Sequence, residues 1–125
     1  MTPIETVTRF LDRWNVGIDE IRAALRESLG TDGVWDNVNM SVTRGAEEAM
    51  PMIDAFVEQA GFARMPVDML AICADGNRVF TERVDRFVNA EGQEFLALRV
   101  MGIFEIGDDG KILAWRDYYD SRAMG

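Results

Sequence analysis

The sequence predicts an α+β fold, a strongly curved mixed or antiparallel sheet packed against N-terminal helices to form a cone with a deep pocket. Two patterns predict it. Apolar residues recur at helical spacing in the first third of the chain, and strand-like alternation takes over after about residue 65. The later stretches are joined by "DGN", "AEG" and "GDDG", connections that suit hairpins because Gly and Asp accept the positive φ such turns need. Helices first and an antiparallel meander afterwards give helices on one face of a sheet that curls around them. At 125 residues the chain suffices for one domain, 1–125, with one sizeable core.

The elements follow in order. "TPIETVTRFLDRWN" opens as a helix: Thr2 can cap it, Pro3 suits its first position, and Glu5 completes a capping box. Ile4, Val7, Phe10, Leu11 and Trp14 then share one face. "IDEIRAALRESL" (18–29) repeats the pattern with Ile21, Leu25 and Leu29, and Gly30 supplies the stop. Asp32-Gly33 turns the chain into a first strand, "VWDNVNMS" (34–41). A third helix is expected over 45–60, with Pro51 breaking or restarting it. Four strands follow at 65–74, 78–89, 93–106 and 111–120.

Composition narrows the chemistry. A net charge of −9 and a pI of about 4.4 disfavour nucleic acid and anionic membrane surfaces, whose phosphates call for the opposite sign. No apolar run reaches the length of a membrane span, and "MTPIETVTRF" lacks the basic and apolar regions of a secretory signal. A single cysteine, Cys73, excludes an internal disulfide framework and points to the reducing cytoplasm. There is no histidine, which removes Ser-His-Asp and Cys-His machinery and the imidazole ligands of zinc or copper. The one lysine, Lys111, sits in the turn "GDDGKI", and no Gly-rich phosphate loop has the strand-loop-helix setting it needs. Any acid-base work falls to carboxylates and Tyr, with no metal and no cofactor expected.

The strand "FTERVDRF" (80–87) places Thr81, Arg83, Asp85 and Phe87 on one face. "AWRDYYDSR" (114–122) places Trp115, Asp117 and Tyr119 on one face, and the first strand does the same with Trp35, Asn37 and Asn39. Singly, each has an ordinary explanation. An Arg-Asp pair on a strand is commonly a solvated pair of little energetic value. The tryptophans serve as core, and Met40, Met50, Met52, Met65, Met69 and Met101 serve as packing filler. Turned together into the concave face, the same residues would make an apolar pocket with a few convergent polar groups.

Together, "FTERVDRF" and "GIFEIGDDGKILAWRDYYD" resemble the two catalytic strands of the limonene-1,2-epoxide hydrolase family, whose pattern is an R-x-D in one strand and "WRDYFD" in another. The resemblance is clear from about residue 77 to 120 and weaker through "VWDNVNMSVTRG" and the first helices. It implies the same cone, as a homodimer, acting on a small apolar epoxide and water. Asp85 would protonate the epoxide oxygen, Asp117 would take a proton from the attacking water, Arg83 would bridge the two carboxyls, and Asn37 would help hold the water. Trp35 stands where the family has a tyrosine on that water, and an indole donates one hydrogen bond but accepts none. Trp35, Phe87, Leu98, Val100 and Tyr119 would line the substrate pocket, suited to a terpene-like or alicyclic epoxide. Relatives run further past "YYDSRAMG", so the mouth is expected to be open or covered by a partner subunit.

The chemistry is coherent without the family. Water opens an epoxide when one group delivers a proton to the leaving oxygen while another removes one from the nucleophile. Two neighbouring carboxyls in an apolar pocket resist double ionisation, so one stays protonated, and a bridging Arg keeps the other charged. Two rival readings use the same cone. A ketosteroid isomerase-like enzyme needs one carboxylate base and an oxyanion donor, for which an Arg between the carboxyls is unhelpful. A non-catalytic binding or dimerisation module needs neither.

Overall fold

The computed structural model describes residues 1–124. Helix α1 (Pro3–Arg13) starts on a reciprocal cap: Thr2 Oγ1 accepts from the Glu5 amide at 3.1 Å, and the Thr2 N–H donates to Glu5 Oε1 at 2.9 Å. Helix α2 (Ile18–Leu29) stops at Gly30, whose φ of 59° a glycine adopts without steric cost. Val7, Phe10 and Leu11 of α1 and Ile21, Leu25 and Leu29 of α2 bury their shared faces in one core, as the spacing predicts.

The expected first strand is instead a hairpin. Strand β1 (Val34–Asn37) turns back through 38–40 into β2 (Ser41–Arg44). Asn39 lies in that turn at φ 67°, a left-handed conformation that asparagine tolerates better than most residues, so it does not share the face of Trp35 and Asn37. Helix α3 (Ala46–Ala60) runs unbroken through Pro51. The proline removes one amide donor early in the helix, but Ala46, Ala49, Met50 and Ile53 bury a face. Arg26–Glu47 and Arg22–Asp54 pairs tie the helix to α2.

Strands β3 (Phe62–Arg64), β4 (Val67–Asp75), β5 (Arg78–Asn89), β6 (Glu94–Ile106) and β7 (Ile112–Tyr118) complete a sheet ordered β2-β1-β7-β6-β5-β3, with β4 also paired to β5. The last four of these strands form the antiparallel meander. The sheet is mixed because β1 joins β7 in parallel, Trp35 beside Trp115 and Asn37 beside Asp117. It curls strongly around the helices. Along β5 the inward positions are Val79, Thr81, Arg83, Asp85 and Phe87, all buried, so the charged pair faces the core side.

Candidate active site

Register brings the charges together. Thr81, Gly102 and Asp117 form one row across β5, β6 and β7, and Asn37 extends it onto β1. Arg83 and Asp117 therefore sit two strands apart, a backbone gap of about 9–10 Å. The guanidinium crosses that gap over Gly102. A Cβ on Gly102 would lie inside contact distance of both Arg83 Nη1 and Asp117 Oδ1, and 3.0 Å from Thr81 Oγ1. The bare glycine is what leaves the guanidinium room.

Arg83 is 0% exposed, and all five of its N–H donors have partners. Nε donates to Asp85 Oδ1 at 2.9 Å. Nη1 donates to Thr81 Oγ1 at 3.0 Å and to Asp117 Oδ1 at 3.2 Å. Nη2 donates to Asp85 Oδ2 at 2.8 Å and to Asp117 Oδ2 at 3.0 Å. Thr81 Oγ1 in turn donates a hydrogen bond to the Gly102 carbonyl at 3.1 Å. One cation thus holds two carboxyls in fixed orientations, each by a forked contact.

Asp117 has a further donor. Trp115 Nε1 reaches its Oδ1 at 2.8 Å. That indole is pinned between the ring of Trp35, stacked at 4.5 Å and 3°, and the ring of Phe104, stacked at 5.2 Å and 18°. Oδ1 therefore receives two donors and Oδ2 receives one, which leaves Oδ2 the freer to accept a proton. Burial pushes the Asp117 pKa above the ordinary carboxylate range, against the opposing charge and hydrogen bonds of Arg83. For Arg83 burial acts to lower the pKa, but the charge of Asp117 and the bonds to Asp85 outweigh it, and the guanidinium stays protonated. With both carboxyls ionised the cluster would carry one net negative charge in a buried setting. One bound proton would neutralise it, and burial of Asp117 favours that state.

The two carboxyls border a cavity of about 330 Å³, near the small end of ligand pockets. Asn37, Trp35, Phe87, Leu98 and Tyr119 line it with Asp85 and Asp117. Arg83 does not reach it and acts from behind the carboxyls. Val100 departs from the expected lining: it is buried at 3% exposure beside Arg83 in the β5–β6 register and does not border the cavity. The opposite wall, including Met52 and Phe56 of α3, escaped the sequence reading, as did the lining roles of Met40 and Met65. Met124, in a short 3-10 turn (Ser121–Met124), also borders it. Gly102 was missed too, although a lone glycine inside an apolar strand signals close approach of other groups.

The chain has relatives among known proteins. The family described as limonene-1,2-epoxide hydrolase catalytic domain matches residues 1–124. The chain is 37% identical over 106 residues to the epoxide hydrolase EphG of Mycobacterium tuberculosis H37Rv, a match covering 85% of this chain and 64% of that protein's length. A solved M. tuberculosis LEH-like epoxide hydrolase superposes with a TM-score of 0.75 at 31% identity, covering 98% of this chain and 85% of the other. A SnoaL-like protein of Jannaschia sp. CCS1 has the same fold, with a TM-score of 0.75 at 22% identity over 98% of this chain and 88% of its own. With the match spanning its full described length and the structural relative above 30% identity, the chain belongs to the limonene-1,2-epoxide hydrolase family.

Proposed function

We propose that the protein hydrolyses a small apolar epoxide to a vicinal diol in one step, without a covalent intermediate and without a cofactor. The observation that carries this reading is the five-donor guanidinium of Arg83 clamping two carboxyls at the edge of an apolar cavity. Asp117 Oδ2 takes a proton from water as the water oxygen bonds to an epoxide carbon. The bond from that same carbon to the epoxide oxygen breaks on the side away from the water, and Asp85 gives its proton to the departing oxygen. The proton gained by Asp117 then returns to Asp85 through the shared network or solvent, which restores the pair.

The division of roles rests on hydrogen bonding. Asp117 accepts three donor contacts and Asp85 accepts two, so hydrogen bonding favours the ionised form of Asp117, which makes Asp117 the base and leaves Asp85 as the acid. Burial acts the other way and raises the Asp117 pKa, so the ionised form becomes populated as pH rises and, once formed, is a stronger base than an ordinary carboxylate. Asn37, level with Asp117 in the parallel register, is positioned to hold the water. Each assisted proton transfer is worth roughly 10²–10⁴-fold in rate. The cavity size and its aromatic and aliphatic walls suit a terpene-like or alicyclic epoxide. Val100 then shapes the site only by packing against the Arg83 strand.

The test is diol formation from limonene oxide, cyclohexene oxide and styrene oxide in ¹⁸O-labelled water. Diol carrying the solvent label in a single turnover, and its loss in Asp85→Asn, is the expected result. Label delivered from the protein instead of solvent would overturn direct water attack. A folded protein giving no diol at all would favour proton-transfer or binding chemistry.

We also infer a homodimer in a reducing cytoplasm. Cys73 is an exposed free thiol, which suits a reducing compartment. The outward face of the sheet carries Met101 and Tyr118 side by side, both exposed, which suits a second copy.

A further inference from the structure

A water that attacks carbon must aim one lone pair at it. Its two protons and its second lone pair are then free to be held, and rotation stops only when all three are engaged. Asp117 Oδ2 and Asn37 Oδ1 can accept the two protons. The second lone pair requires a donor, and most donors near the site are already committed. All five Arg83 N–H groups are bonded behind the carboxyls. Trp115 Nε1 is held by Asp117. Ser41 donates to Met52 Sδ at 3.7 Å. Trp35 Nε1 is covered from the cavity and has no partner among the described residues. Its ring cannot swing toward the water, being flat against Trp115 and edge-on to Trp14 at 5.8 Å.

Tyr119 is differently placed. It lies two residues beyond Asp117, on the same side of the chain, and borders the cavity with Asn37 and Asp117. Its hydroxyl is 3.4 Å from Asn37 Oδ1, longer than an ordinary O–H···O bond, so it is not committed to that partner. Burial and the nearby charge of Asp117 keep the phenol protonated and hence a donor.

We propose that Tyr119 is a catalytic residue whose hydroxyl donates to the spare lone pair of the nucleophilic water, while Asp117 Oδ2 and Asn37 Oδ1 hold its two protons. Tyr119 keeps its own proton throughout. The proposal rests on the hydrolase reading and assigns it a third water-holding group, on β7's end in place of β1. It also gives Trp35 a different part, that of packing Trp115 so that the indole N–H stays on Asp117.

The test compares the parent protein, Tyr119→Phe, Asn37→Ala and the double variant on the most rapidly hydrolysed epoxide of the panel, with thermal melting of each. Tyr119→Phe is expected to melt near the parent and lose kcat by about 10²-fold, the scale of a misplaced reactant, with KM little changed because the apolar ring remains. Its effect should shrink in the Asn37→Ala background, since both groups hold one water. Unchanged kcat, a loss confined to KM, or losses that multiply independently would each overturn the proposal. No diol from the parent would sink the hydrolase reading and this inference with it; diol from the parent with an unaffected Tyr119→Phe sinks the inference alone.

Discussion

A buried carboxyl that serves as the proposed base leaves a signature in both stability and rate. The folded-state pKa of Asp117 lies above its ordinary value of 3.8, so the native state binds this proton more tightly than the unfolded chain does. Its contribution to stability is therefore full below the unfolded value and is lost as pH rises through the raised folded value. Asp117→Asn cannot titrate, so the melting temperature of the variant relative to the parent should climb as pH is raised from about 4 toward neutrality. Thermal melting across that range measures it, and a flat difference would mean that Asp117 is not raised. Turnover has the matching sign. In the proposed mechanism Asp117 acts ionised, so the acid limb of kcat/KM should fall above the ordinary carboxylate range, and a limb near pH 4 would contradict burial as the dominant influence.

Three strands, rather than one, build the Arg83 cluster, and at its centre the middle one contributes an absence of side chain. Gly102 on β6 leaves the gap through which Arg83 of β5 reaches Asp117 of β7. In Gly102→Ala the new methyl meets Arg83 Nη1 and Asp117 Oδ1, which their own hydrogen bonds hold in place. Overpacking of this kind costs about 1–3 kcal/mol. A shift of the guanidinium would also misalign both carboxyls, with a rate loss of about 10²-fold. Melting and single-substrate kinetics read both effects, and an alanine variant with parental kcat would refute the spanning role of the glycine. The strand that holds Arg83 and Asp85 was legible in the sequence because period-two alternation alone assigns Thr81, Arg83 and Asp85 to one face. What alternation cannot supply is register. The placement of Gly102 between Thr81 and Asp117, and the parallel pairing that sets Asn37 beside Asp117, depend on which strands become neighbours. For the same reason "VWDNVNMS" read as one strand: its alternation continues across residues 38–40, and only the positive φ at Asn39 reveals the turn. The α3 wall was hidden by its composition, since Met52 and Phe56 look alike whether they fill a core or border a cavity.

At the scale of the whole molecule, the curled sheet has two faces with opposite tasks. The concave face encloses the helices and the carboxyls, and strand alternation anticipates its Arg83, Asp85 and Asp117 but not Gly102 or the α3 wall. The convex face presents Met101 at 54% exposure, Leu113 at 53% and Tyr118 at 44%, with Met101 and Tyr118 adjacent across β6 and β7. Glu82 and Arg99 stand on the same outward side of β5 and β6 and carry opposite charges. A two-fold axis through such a face lets Arg99 of each copy meet Glu82 of the other while the apolar residues cover one another, the self-complementarity that an isologous dimer requires. Sedimentation equilibrium should then return twice the 14.1 kDa mass of the chain. The double variant Met101→Lys, Tyr118→Lys should shift the mass to that of one chain, because it places buried, unpaired charge on both sides of the contact. As the convex face lies opposite the Arg83 cluster, the separated chains should keep the diol-forming activity of the parent where it is present. A parent protein that sediments as a monomer, or a variant that stays dimeric, would place any self-association on another surface.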